Sequence, residues 1–149
     1  MGDVIEAKAL LDEALELRLR GVERLVSRPL SVLAENWNGA GPEWMKPEIR
    51  AKLSKWLSVF KPAFFVHDQD FSDSDGSFFG YNSANDRLED NCLIIADAKY
   101  AFYDPRRYLA RRAAPVVADV VRVASWPAWW QAHEKARAKA RAAKQKEEQ

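Results

Sequence analysis

A chain of 149 residues fits one domain with enough length for a buried core, and 48% apolar residues with six tryptophans exclude a disordered chain. No run approaches the roughly 18 apolar residues that span a bilayer, Met1–Glu6 carries neither the basic nor the apolar region of a signal peptide, and the lone Cys92 excludes an internal disulfide and fits a buried side chain in a reduced compartment. The net charge of +1 hides a segregation: Val66 to Asp104 holds nine acidic residues against Arg87 and Lys99, a centre suited to a cation, whereas Pro105 onward holds eleven basic residues against four acidic ones, a tail suited to phosphate or acidic protein surfaces.

Residues Asp3 to Val26 predict one amphipathic helix, with Val4, Ala7, Leu11, Leu15, Val22, Leu25 and Val26 at helical spacing, Gly21 inside it and Pro29 after it. Leu10, Leu17 and Leu19 widen its apolar face, so it can meet another chain as well as its own core. Residues Ser31 to Lys46 contain the loop Trp37-Asn38-Gly39-Ala40-Gly41-Pro42. Pro47 suits the first turn of a helix with Ile49, Leu53, Trp56, Leu57 and Phe60 as its stripe, and Pro62 does the same for a short helix over Ala63 to Phe71. On that short helix Phe64, His67 and Phe71 share a face.

The polar loop Ser72 to Ser77 follows. With Asp68, Asp70, Asp73 and Asp75 it looks like a calcium loop, yet aligning Gly76 to the EF-hand glycine puts Phe71 in the first ligand position, and the pattern fails. Phe78, Phe79 and Tyr81 read as core residues. Ser83 with Asp86 resembles a capping box opening a helix to about Tyr103, with Leu88, Cys92, Ile95 and Lys99 on one face, ended by Asp104-Pro105. A further helix from Pro105 bends or breaks at Pro115, Trp126-Pro127 marks another boundary, and Ala128 to Gln149 forms a basic helix without an apolar face beyond Trp130. The chain is therefore all-α: a small helical domain with a central antiparallel helix pair and long N- and C-terminal helices, divided as 1–30, 31–104 and a basic arm 105–149.

Chemistry near neutral pH falls first on His67, since the other histidine, His133, lies in the charged tail. His67 stands beside Asp68 in Phe64-Phe65-Val66-His67-Asp68-Gln69-Asp70-Phe71. Gly39 and Gly41 free the backbone so that the carbonyls of Trp37, Gly39 and Gly41 can converge with the Asp68 carboxylate on a calcium ion. His67 would then take a proton from an attacking water while the metal polarises an ester carbonyl. A plain helix–helix connection is the competing reading of the loop. Zinc spacing, P-loop, dinucleotide fingerprint and serine triad signatures are absent from the sequence.

A Gly-x-Gly loop, a His-Asp helix followed three residues later by an aromatic, and a second helix with a polar partner resemble the phospholipase A2 superfamily, and within it the short viral, bacterial and prophage members. The resemblance covers about Asn36 to Ile95. It implies that Trp37, Gly39, Gly41 and Asp68 hold calcium, that His67 is the base, and that the group orienting His67 lies in Asn85-Asp86-Arg87-Leu88-Glu89-Asp90, as Asn85, Asp86 or Asp90. It also implies a phage or prophage source, a phospholipid substrate, and a place in the host cytoplasm or virion. Phe71 replaces the family's tyrosine, Asn85 stands at its acidic position, and Ala40 and Phe64 occupy positions where many relatives carry cysteines. Two readings stay open: a calcium-assisted acyl hydrolase, active or degenerate, and a non-enzymatic virion or tail protein assembling through its terminal helices as a homo-oligomer or larger complex. Nucleic acid is not an expected partner of either.

Overall fold

The computed structural model describes residues 3–37 and 46–149, and among them the chain is all-helical. Seven α-helices are described: α1 (Val4–Glu16), α2 (Leu30–Asn36), α3 (Pro47–Val59), α4 (Lys61–Asp73), α5 (Phe78–Lys99), α6 (Pro105–Ala132) and α7 (Glu134–Glu147), with a 3-10 turn at Glu23–Leu25. None is long and apolar enough to cross a membrane.

Local chemistry starts most of them. Asp3 caps α1 by accepting from the Ile5 amide, and Asp104 caps α6 by accepting from Arg106. Pro47, Pro62 and Pro105 lie in the first turns of α3, α4 and α6, where a missing N–H is harmless. Phe60, fully buried, ends α3 and opens α4.

The core is built on two antiparallel pairs, α4 with α5 and α5 with α6. Helices α4 and α5 form a hairpin in which Phe71 lies against Tyr81 and His67 meets Asn85. Helix α5 pairs with α6 over the longest interface: Leu88, Cys92, Ile95 and Ala96 bury against the small face Ala110, Ala114, Val117 and Val121. Helix α1 closes the other side of α4 with Ala7, Leu10, Leu11 and Ala14. Burial of the Cys92 thiol pushes its pKa up and leaves it an inert core group.

Several sequence expectations need correction. The N-terminal helix predicted over Asp3 to Val26 stops at Glu16: Arg18 (φ 54°) and Gly21 (φ 87°) turn the chain, so Leu19, Val22 and Leu25 reach the core from a loop and a 3-10 turn. Leu10 and Leu19 are thereby buried in their own chain. The turn is held by Asn91 of α5, whose amide accepts from the Arg20 N–H at 2.7 Å and donates to the Arg20 carbonyl at 3.1 Å. Helix α5 begins at Phe78, capped by the Ser77 hydroxyl on the Gly80 amide, so Ser83 and Asp86 lie inside it, and it ends at Lys99. Phe78 and Phe79 are exposed, and only Tyr81 of that group is buried. Helix α6 runs unbroken through Pro115 and Pro127; the break falls at His133.

Candidate functional site

The site is the contact between α4 and α5. On α4, Phe64, His67 and Phe71 lie one turn apart, and the hairpin turns His67 onto α5, where both it and Asn85 are buried. His67 Nε2 lies 2.9 Å from Asn85 Oδ1. Asn85 in turn donates from Nδ2 to the Tyr81 carbonyl at 3.0 Å, which directs its oxygen at the ring. That bond assigns the tautomer: Nε2 carries the proton and donates, leaving the lone pair on Nδ1. Burial lowers the His67 pKa from 6.5 to about 4, only partly offset by the Asn85 bond.

Phe71 packs on the imidazole, with ring centroids 4.2 Å apart. It also walls a cleft of about 270 Å³ with Ser72, Ser125, Trp129 and His133. Tyr81, which bonds Asn85 through its carbonyl, bonds the Ser125 hydroxyl of α6 through its own at 2.8 Å. The histidine is therefore braced by α5 and, through Tyr81, by α6.

Of the three residues expected near His67, Asn85 is the one that reaches it. Asp86 is engaged by Arg122 at 2.5 Å and Asp90 by Arg20, both on exposed faces. Trp37 ends α2, its indole buried edge-on against Phe65 at 5.9 Å. Asp68, half-buried, is the next residue on α4 after His67. Gly39 and Gly41 lie outside the described residues. Among the described residues no group of three His, Cys, Asp or Glu side chains converges to hold a metal. Of the expected calcium ligands the described residues include Asp68 and Trp37, whose oxygens are of the hard type that ion takes.

Sequence reasoning missed the charged cluster beside the site. Asp70, one turn from His67, is buried and accepts on Oδ1 from Arg24 and, at 2.8 Å, from Arg87. Arg24 also reaches Asp73 at 3.0 Å, and Arg28 reaches Asp73 at 2.7 Å. Desolvation raises the Asp70 pKa despite both arginines. Nothing in sequence spacing joins Arg24 to Asp70, which in the sequence is one of several polar residues in the second half of its helix.

Comparison of the chain with family models, with curated proteins and with solved structures found no match.

Proposed function

We propose that the chain is a phospholipase A2-like acyl hydrolase in which His67 is the base and Asn85 its orienting partner. The 2.9 Å contact between His67 Nε2 and Asn85 Oδ1 carries this reading, because it leaves the opposite nitrogen free of its proton. Nδ1 takes a proton from water, the hydroxide attacks the acyl carbon, and the imidazolium returns the proton to the departing alkoxide as the ester C–O bond breaks. Calcium held by Asp68 and the Trp37 carbonyl would stabilise the oxyanion. The cleft walled by Phe71 and Trp129 offers apolar surface for an acyl chain. A neutral amide stabilises the imidazolium less than a carboxylate does, and a base of pKa about 4 is weak, so turnover is expected to be slow.

Phospholipid hydrolysis tests the reading. His67→Ala should abolish it, and Asn85→Asp with Phe71→Tyr should raise it, since a carboxylate beside the ring pulls its pKa back up. Calcium should raise the melting temperature of the wild type and not of Asp68→Asn, because binding to the folded state stabilises by mass action. Background hydrolysis in both wild type and the double variant, with calcium present, would sink the enzyme and leave the second reading, an assembly protein. Helix α7 favours that second reading: none of its 14 residues is buried.

A further inference from the structure

Helix α6 carries two apolar faces, and the second is used only in part, since Ala113 and Val120 touch the core while the residues between them stand outside it. The first, Ala110, Ala114, Val117 and Val121, packs on α5. The second is Leu109, Ala113, Val116, Val120, Val123, Pro127 and Trp130, which alternate spacings of four and three over three heptads of one unbroken helix. Its leading residues are open to solvent: Leu109 is 51% exposed, Val116 57%, Val123 78% and Trp130 44%. A 3.5-residue repeat of this kind is the signature of a helix packed lengthwise on another helix. The chain's own α7 meets this face at its end, where the Arg137 guanidinium lies 3.4 Å from the Trp130 ring centroid, and no residue of α7 is buried.

We propose that this seam pairs with the same seam of a second copy, in antiparallel sense, giving a two-fold dimer. The charges along its edge select this occupant and this direction. Arg112 and Asp119 lie one heptad apart on the same flank of the seam, and both are exposed. In an antiparallel pair with Ala113 opposite Val116, Arg112 of each copy comes beside Asp119 of the other, so two salt bridges close the flank symmetrically. In the parallel sense the opposing flank positions are Ala110 and Val117, which offer no charge. The same antiparallel register sets the Phe102–Arg106 end of one copy level with Val123 to Pro127 of the other, and Phe102 and Tyr103 are 84% and 78% exposed. The exposed aromatic end of one copy thus meets the exposed apolar end of the other.

Sedimentation equilibrium of the full chain across the micromolar range tests the pairing. Wild type should dimerise, and Val123→Glu and Val116→Glu should each weaken the dimer by about tenfold or more, because each buries a carboxylate in the seam. Circular dichroism checks that both variants stay folded; Val123, the more exposed, carries the test if Val116→Glu loses helix. Arg112→Asp alone and Asp119→Arg alone should also weaken the dimer, and the double exchange should restore it. A wild type that is monomeric throughout, a dimer indifferent to both glutamates, or a double exchange that fails to restore pairing would each overturn the proposal. Hydrolysis by the monomeric variants is a separate readout, so failure here leaves the His67 reading standing.

Discussion

At His67, burial and function pull against each other. Its pKa falls from 6.5 in the free side chain to about 4 in the fold, so between those values the unfolded chain holds a proton that the native state does not. Stability therefore rises with pH through that window: it is complete above 6.5 and is lost as pH falls toward 4, with a span on the order of 3 kcal/mol. Partial burial also pulls His133 down, which adds to the same slope. His67→Gln keeps an amide donor for Asn85 and removes the titration. Urea unfolding between pH 7 and pH 4 should show a flatter profile for the variant, with the His133 share of the slope retained. An unchanged slope would mean that His67 is solvated and not the group described here. The pairing of His67 with a residue of the next helix was legible in the order of motifs. The choice among Asn85, Asp86 and Asp90 was not, because it depends on which of them Arg122 and Arg20 engage from other elements.

At the scale of elements, the sequence was readable wherever a boundary is set by its own neighbours. Pro47, Pro62 and Pro105 fix the starts of α3, α4 and α6 through their own φ and their missing donors. It was unreadable where a distant partner decides. The end of α1 depends on Asn91, 71 residues from Arg20. The continuity of α6 through two prolines reflects the burial of Ala110, Ala114, Val117 and Val121 on α5, which outweighs the lost backbone bonds. Gly21 gives a direct test of the turn after α1. Its φ of 87° is strained for any residue with a side chain, and a Cβ there would fall 2.7 Å from Arg87 Nη1 and 2.9 Å from Arg24 Nη1, the two groups that hold Asp70. Gly21→Ala is expected to lower stability by about 1 kcal/mol through the backbone alone, and further through the displaced guanidiniums. The midpoint of urea unfolding reads this out; an unmoved midpoint would place the turn elsewhere.

For the whole molecule, the division between core and tail falls at His133. Helix α6 contributes to the core along its length, whereas α7 buries nothing. Arg137 is the tail's clearest tie to the body, with its guanidinium 3.4 Å from the Trp130 ring centroid. Removing residues 139–149 should therefore leave the melting temperature and any phospholipid hydrolysis unchanged, and a loss of assembly in that truncation would assign the tail to a partner. A drop in melting temperature would instead mean that α7 docks on its own domain.

The bond between Arg20 and Asn91 also bears on how the chain is made. Synthesis delivers α1 first, yet the groups that fix the turn after it sit on α5 and leave the ribosome about 70 residues later. Ala7, Leu10, Leu11 and Ala14 wait in the same way for α4, which is complete only at Asp73. The hairpin of α4 and α5 and the pairing of α5 with α6 join consecutive helices, and such short-range contacts form early. The turn that ends the oldest helix thus waits longest for its partner, and during that delay it stays open to chaperones, proteases and its own neighbours on the polysome.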